Sequence, residues 1–143
     1  MYYTEKEIEV RYAETDKMGV VYHANYLVWF EVGRTDFIEK AGFKYADMEK
    51  DDVISPVLDI QVSYKKSVTY PEKVKVRTWI HSYSKLKTVY AYEIYKENGE
   101  IAATGKTTHI VIKKNSEKPL RLDRYYPEWH AKYLELSSYE KKQ

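Results

Sequence analysis

Residues 12–34 contain the side chains of this sequence that are best placed to do chemistry. Asp16 lies three residues before Gly19, and a short apolar run then leads to the pair Tyr22-His23 and a long aromatic-rich segment. The pattern predicts a strand end, a turn that holds a carboxylate, and a helix N-terminus in quick succession. A carboxylate can deliver a nucleophile to a carbonyl carbon, and the unpaired N–H groups of a first helical turn can receive the negative charge on oxygen. The segment is therefore a candidate site for attack on a carbonyl group.

A second interpretation of Asp16 is purely structural. A carboxylate at a strand–helix junction commonly closes an Asx-turn or caps a helix. Spacing alone favours this structural role over a catalytic one. His23 is open to the same question, because a histidine bonded to nearby groups would simply stabilise the turn.

The elements that must position this segment are a strand before it and a helix after it. Residues 6–13 alternate between apolar and polar side chains, which predicts a strand. Across residues 24–41 apolar side chains recur at helical intervals over much of the circumference, so this helix is expected to be buried on several sides. Gly42 suits its C-terminal cap, and residues 44–53 are polar enough for a loop or a short helical turn.

Four strand-like runs follow the helix, at residues 57–69, 73–84, 88–96 and 100–114. The pair Asn98-Gly99 predicts a two-residue type I′ hairpin turn, and the segment from Pro127 predicts a short helix. One strand, one long helix and four consecutive strands indicate an α+β fold, in which one antiparallel sheet carries a helix on one face. Such long strands require a strongly curved or twisted sheet.

The chemical segment also resembles a known family. The order Asp-x-x-Gly-x-Val-x-x-x-Asn-Tyr resembles the signature of the 4-hydroxybenzoyl-CoA thioesterase-like hotdog proteins, and it is carried here by Asp16, Gly19, Val21, Asn25 and Tyr26. The Tyr22-His23 pair is similar to the bacterial acyl-CoA thioesterase branch associated with the Tol-Pal region. The resemblance covers most of the chain from about Glu7. It implies a hotdog fold, with a curved antiparallel sheet of about five strands wrapped around one long central helix.

The resemblance implies roles for the residues of the segment. In the family, the aspartate at the Asp16 position is the catalytic carboxylate, acting as nucleophile or general base towards a thioester carbonyl. The backbone N–H at the His23 position polarises the thioester oxygen, and the His23 side chain could also donate to that oxygen or orient Asp16 and water. Gly19 is expected to permit a tight turn or a close approach of substrate. Tyr22 is expected to line the acyl pocket, with core packing as the alternative.

Coenzyme A would need cations for its phosphates. The turn at residues 84–88 resembles the basic turn that carries nucleotide contacts in the family, so Lys85, Lys87 and Thr88 are the substrate-binding candidates there. Lys65 and Lys66 are weaker candidates. A solvated surface charge is the alternative for each lysine. Coenzyme A is part of the substrate in this hypothesis, and no cofactor is expected.

Two further side chains have structural interpretations. Glu31 is the competing carboxylate, since another hotdog branch uses a helical acid, but Arg34 lies three residues later. A salt bridge between them, or a contact between subunits, is the better interpretation. His109 falls in the last strand run, where packing or pairing is expected.

Composition excludes several other classes of protein. The 143 residues fit one domain, expected to span residues 1–143, around a single core. A net charge of +2 argues against nucleic-acid binding, and the absence of cysteine excludes disulfides and a cysteine nucleophile. No H-x-x-x-H or G-x-S-x-G pattern occurs, so neither a metal site nor a serine-hydrolase triad is expected. Acidic residues near the N-terminus and the lack of a long apolar run predict no signal peptide, no membrane insertion and a cytoplasmic location.

The combined prediction is an acyl-CoA thioesterase that releases a free acid and coenzyme A. One alternative is a thioesterase acting on acyl carrier protein, which would need a basic docking surface. Another is a non-catalytic acyl-CoA-binding hotdog protein, and a hotdog dehydratase fits the motif poorly. A helix that covers only one sheet face leaves a surface and an edge strand that favour a homo-oligomer, expected to be a tetramer built from dimers.

Overall fold

The structure, a computed structural model, describes residues 2–141 and contains one principal antiparallel sheet. Its five strands run in the order β1-β4-β5-β6-β3. They are β1 Thr4–Glu9, β3 Val57–Tyr64, β4 Lys73–Ser84, β5 Lys87–Tyr95 and β6 Ile101–His109. Two short strands, β2 Val53–Ile54 and β7 Ile112–Lys113, pair separately. The helices are α1 Asn25–Lys40, α2 Tyr45–Lys50, α3 Leu122–Tyr125 and α4 Pro127–Lys141.

Helix α1 lies across one face of the sheet, and two glycines, Gly33 and Gly105, allow the helix and the sheet to approach each other closely. A Cβ atom on Gly33 would lie 2.6 Å from Cγ1 of Val76, so helix and sheet approach too closely there for any side chain. The Phe30 ring covers Gly105 on β6 and stacks on Tyr92 with 4.4 Å between ring centroids. The predicted α+β hotdog fold, with about five curved antiparallel strands and a long helix, is confirmed.

Helix α4 closes the other part of the core with aromatic side chains. The Trp129 ring stacks on Phe43 with 4.8 Å between centroids, and the hydroxyl groups of Tyr133 and Tyr90 are hydrogen-bonded at 2.7 Å. Burial raises the pKa of both tyrosines, so both hydroxyls stay protonated at neutral pH. The predicted C-terminal helix is confirmed and extends this aromatic layer.

Several predicted strand ends are wrong, because backbone groups find partners outside the sheet ladder. The first strand ends at Glu9, and Tyr12–Glu14 form a 3-10 turn instead. Strand β3 ends at Tyr64, after which two successive N–H groups both donate to the carbonyl of Ala102. The last run breaks after His109 into β6 and β7.

The turn at Asn98-Gly99 is not type I′. Gly99 takes φ +88°, but Asn98 does not take a positive φ, as a type I′ turn would require. The Gly99 N–H donates to the Lys96 carbonyl at 3.0 Å, and the Lys96 N–H donates to the Glu100 carbonyl at 2.8 Å. This is a type I turn followed by a glycine bulge, which also matches the twist of the strands.

Strand β3 forms one edge of the sheet and is exposed on both faces. Its apolar side chains Val57, Leu58, Ile60 and Tyr64 are between 42 and 56% exposed. An edge strand with this composition presents unpaired backbone groups together with apolar surface. Within the described residues, nothing covers this edge.

Candidate active site

The Asp16 side chain lies exposed in a tight turn that precedes α1. Its Oδ1 atom accepts hydrogen bonds from the N–H of Met18 at 2.8 Å and, more weakly, from that of Val20 at 3.4 Å. Its Oδ2 atom makes no hydrogen bond within the described part of the chain. The Asx-turn interpretation is therefore confirmed for one oxygen, while the other oxygen is available to a ligand.

Gly19 makes the turn possible. It takes φ +80°, a conformation that is strained for any residue with a Cβ atom. No other group lies within 4 Å of the position that a Cβ atom would occupy. The glycine therefore serves backbone conformation, and the space beside it is open.

Two N–H groups at the start of α1 are free. The N–H groups of Asn25 and Tyr26 donate to the carbonyls of Tyr22 and His23, at 3.0 and 3.2 Å. By contrast, the N–H groups of His23 and Ala24 have no acceptor among residues 2–141. Together with the positive end of the helix dipole, they could stabilise negative charge on a substrate oxygen.

The side chains around this helix start form an exposed aromatic surface. The Tyr22 and His23 rings lie 4.3 Å apart between centroids, and both side chains are exposed. Tyr22 is therefore not a core residue, and the alternative of core packing is wrong. The Tyr64 hydroxyl donates to the His23 carbonyl at 3.2 Å, and its ring contacts the Tyr26 ring edge-on.

Two residues of this region were missed by the sequence interpretation. Tyr64 lies 41 residues from His23, and no local motif connects them. Glu14 lies two residues before Asp16 and is only 3% exposed. An acid so close to the candidate carboxylate was a visible signal, but its burial was not.

The basic turn lies in a different part of the molecule. Lys85, Lys87 and Thr88 line a cavity of about 200 Å³ between the C-terminal half of α1, the β4–β5 turn and α4. No residue from Asp16 to Ala24 lines it. The 12 residues of β4 separate the two regions, a span of roughly 36 Å or less at about 3.3 Å per residue. The structure thus brings Asp16, Gly19, Tyr22 and His23 together and keeps the basic turn apart from them.

The weaker lysine candidates lie outside this cavity. The Lys66 ammonium group is 3.8 Å from a carboxylate oxygen of Glu100, and both side chains are about half exposed. Lys65 is exposed as well. The solvated-charge interpretation suits both.

The cavity wall contains a buried polar network. An Arg34 Nη1 donates to the Tyr92 hydroxyl at 3.1 Å, which is hydrogen-bonded to Thr107 Oγ1 at 2.6 Å. Thr107 is bonded in turn to His109 Nε2 at 2.8 Å. Burial and, to a smaller extent, the positive charge of Arg34 lower the pKa of His109 to about 4, although the Ser55 backbone acts in the opposite direction. The histidine is therefore neutral at pH 7, and its predicted packing role on the last strand is confirmed.

The expected ion pair between Glu31 and Arg34 is not formed between these two described side chains. Arg34 turns towards the sheet, where Tyr92 supplies a buried acceptor. Glu31 is exposed beside the cavity. Helical spacing predicts such pairs only while no tertiary partner competes.

Two absences apply to residues 2–141. No group of three or more histidine or acidic side chains is placed to hold a metal ion there. No helix in the same range has the length and apolar character needed to cross a membrane.

A curved five-stranded sheet around a long helix, with an acidic turn at the helix start, defines a hotdog protein of the thioesterase type. The family model for the Thioesterase-like superfamily matches residues 10–131, and the chain belongs to this family. The predicted recognition of a thioesterase-like hotdog family is confirmed. The Tol-Pal-associated branch stays a prediction.

Individual relatives cover nearly the whole chain. A candidate acyl-CoA thioesterase of Bacillus subtilis, YneP, is 54% identical over 133 residues, which are 93% of this chain and 96% of the relative. The crystal structure of a DHNA-CoA thioesterase from Staphylococcus aureus shares 58% identity and a TM-score of 0.97, covering 99% of this chain and 95% of that one. A hypothetical protein from Thermus thermophilus is 32% identical with a TM-score of 0.85, covering 94% and 98%.

Proposed function

We propose that the chain is an acyl-CoA thioesterase that hydrolyses an aromatic acyl-CoA of the 1,4-dihydroxy-2-naphthoyl class. The observation that carries the proposal is the free Oδ2 of Asp16 in the same turn region as the unpaired N–H groups of His23 and Ala24. The substrate class is supported by the activity named for the Staphylococcus aureus relative, at 58% identity. The exposed rings of Tyr22 and Tyr64 beside the helix start suit an aromatic acyl group.

The reaction follows from these groups. The thioester oxygen accepts hydrogen bonds from the N–H groups of His23 and Ala24, which makes the carbonyl carbon more electrophilic. Asp16 either deprotonates a water molecule that attacks this carbon or attacks the carbon itself to form an anhydride that water then cleaves. In both routes the carbon–sulfur bond breaks, the sulfur leaves as a thiolate that takes up a proton, and the products are the free acid and coenzyme A.

A complete site needs two copies of the chain. Lys85, Lys87 and Thr88 are the proposed contacts for the coenzyme A phosphates, but they are separated from Asp16 by the length of β4. Pairing of β3 with the same strand of a second protomer would extend the sheet and cover its exposed apolar edge. Such a dimer, and a tetramer of dimers beyond it, would place one protomer's Asp16 region beside its partner.

The experiment that tests the activity is thiol release from a panel of acyl-CoAs. The chain has no cysteine, so a thiol reagent reports coenzyme A alone and can be present throughout the assay. We expect kcat/KM for dihydroxynaphthoyl-CoA to exceed that for short and long alkyl-CoAs by about tenfold or more, as expected when one pocket discriminates by shape. Equal rates across the panel would contradict the aromatic substrate class. No release from any acyl-CoA would contradict the proposed activity. If acyl groups were released only from acyl carrier protein, that protein and not coenzyme A would be the carrier of the substrate.

The dimer has a separate test. Ile60→Lys places a charge on the exposed face of β3, and Leu134→Lys makes the same change at a similarly exposed position on α4. We expect light scattering to show smaller particles and thiol release to fall for the first variant only. An unchanged mass and rate for Ile60→Lys would contradict pairing through β3.

A further inference from the structure

Glu14 is a buried carboxylate in the middle of the site region, and it has no part in the mechanism above. It is 3% exposed, and its Oε1 accepts a hydrogen bond from the backbone N–H of Arg11 at 2.8 Å. Its Oε2 accepts one from the indole N–H of Trp29 at 2.9 Å. The Arg11 guanidinium is more distant, at 3.5 Å from Oε2, and is largely exposed. A carboxylate held this far from water needs such donors, because an unpaired buried charge is strongly destabilising.

The main chain of Glu14 is bound as firmly as its side chain. Its carbonyl oxygen accepts hydrogen bonds from the N–H of Tyr22 at 2.8 Å and from the side-chain amide of Asn25 at 2.9 Å. Tyr22 directly precedes His23, and Asn25 is the first residue of α1. Glu14 therefore contacts both the segment that connects Asp16 to the helix and the first residue of the helix.

We propose that Glu14 is a positioning residue of the thioesterase reaction, and that it fixes the distance between the Asp16 carboxylate and the His23 N–H group. The inference rests on the proposed function. Trp29 is almost fully buried on α1, so the hydrogen bond from its indole ties the carboxylate to the rigid part of the fold. Asp16 itself is exposed, in a turn that is closed by the hydrogen bond from its N–H to the Val20 carbonyl and by the pairing of Thr15 with Val21.

Glu14 does not take part in the chemistry directly. Both of its carboxylate oxygens already accept hydrogen bonds, and the side chain is shielded from the exposed surface where Asp16 and His23 lie. Its effect must therefore pass through geometry. Reaction rates are sensitive to such geometry, since a displacement of about 1 Å between reacting groups can lower the rate by roughly 100-fold.

The test compares Glu14→Gln with Trp29→Phe by thiol release from the acyl-CoA that the parent hydrolyses fastest. Gln keeps the size of Glu but has only one acceptor oxygen, so either Arg11 or Trp29 loses its acceptor. We expect Glu14→Gln to lower kcat by about 10- to 100-fold and to change KM by less than about threefold. Trp29→Phe should lower kcat by a smaller factor. Where the amide nitrogen of Gln faces the indole, both changes break the same hydrogen bond, and the double variant should resemble Glu14→Gln alone.

The control is Ile94→Val, a change on β5 whose fully buried side chain is no part of the exposed helix start or of the cavity lining. It should lower the denaturation midpoint and leave kcat unchanged, which separates positioning from loss of stability. A folded Glu14→Gln that keeps the parent's kcat would overturn the inference, as would a rise in KM at constant kcat. If Glu14→Gln does not fold, Trp29→Phe decides alone, since an unchanged kcat there contradicts the proposed tie. A parent without any thioesterase activity would overturn both proposals, whereas an active parent with an unaffected Glu14→Gln would overturn only this one.

Discussion

The two ends of helix α1 handle polar groups in opposite ways. At its N-terminal end, Asp16 and the His23 N–H group are exposed and each has an unused hydrogen-bonding atom. Beside its C-terminal half, Arg34 and His109 are joined through Tyr92 and Thr107 in a continuous buried network.

The difference shows that a shifted pKa is not by itself a sign of chemistry. The pKa of His109 is lowered, yet its ring is hydrogen-bonded to Thr107 within a structural network. Perturbed titration is common at functional sites, but structural networks produce it too. Our proposal therefore rests on the unused hydrogen-bonding capacity at the exposed helix start and not on the shifted pKa.

The largest loss of stability should come from Gly105→Ala, where the Phe30 ring of α1 lies against the sheet. A Cβ atom there would lie 2.6 Å from Cζ of Phe30 and 2.8 Å from the Gln61 carbonyl oxygen. Because one of these neighbours is backbone, we expect the free energy of unfolding to fall by about 3 kcal/mol, at the upper end for overpacked cores. Urea denaturation measures the change.

Gly99→Ala is the matched control for that variant. Gly99 has a positive φ but open space around it, so only backbone strain of about 1 kcal/mol is expected. An equal loss of unfolding free energy in the two variants would mean that the close packing of α1 on the sheet at Gly105 does not govern stability.

Acid should lower the free energy of unfolding through protonation of His109 in the buried network. Its pKa is about 4 in the folded protein and near 6.5 when unfolded, so between these values the unfolded chain binds a proton that the folded protein does not. The contribution is complete above pH 6.5 and is lost as the pH falls to about 4, in all by about 3 kcal/mol.

Urea midpoints measured from pH 7.5 to 4.5 for the parent and His109→Gln check this dependence. Carboxylates titrate in both proteins, so the informative quantity is the difference between the two curves. We expect that difference to shrink as the pH falls. Parallel curves would show that the histidine is not held neutral by the fold.

The smallest effect should come from the basic turn. Lys85→Ala and Lys87→Ala each remove one point charge from the proposed phosphate contacts, so KM should rise by about three- to tenfold while kcat stays constant. Added salt should reduce the difference between variant and parent. Lys66→Ala serves as the control, because Lys66 pairs with Glu100 outside the cavity. The same rise in KM for Lys66→Ala would contradict the proposal that Lys85 and Lys87 bind the coenzyme A phosphates.

Sequence patterns predicted the regular parts of the fold well. Strand β4 runs from Lys73 to Ser84, as its alternation predicts, and α1 agrees with its apolar spacing to within a residue at each end. Strand ends were less predictable, because they depend on which distant backbone group is available, as at Ala102. The Asn98-Gly99 turn shows the same limit at short range, since Asn also suits a type I turn before a glycine bulge.

The candidate site divides in the same way. The motif indicated Asp16 and His23 because both lie within one short segment. Tyr64 arrives from an edge strand, so only the fold brings it to His23. Arg34 was assigned to Glu31 by helical spacing, but the sheet offers Tyr92 as a buried acceptor.

The most direct test compares thiol release by Asp16→Asn and Glu31→Gln, which change one carboxylate in the turn before α1 and one beside the cavity. Asn retains a side-chain oxygen that can accept the Met18 N–H, so the turn and the denaturation midpoint should be preserved. We expect kcat to fall by about 10²- to 10⁴-fold for Asp16→Asn and by less than about tenfold for Glu31→Gln. The reverse order, or an Asp16→Asn variant with the parent's kcat, would contradict the assignment of the chemistry to the exposed helix start.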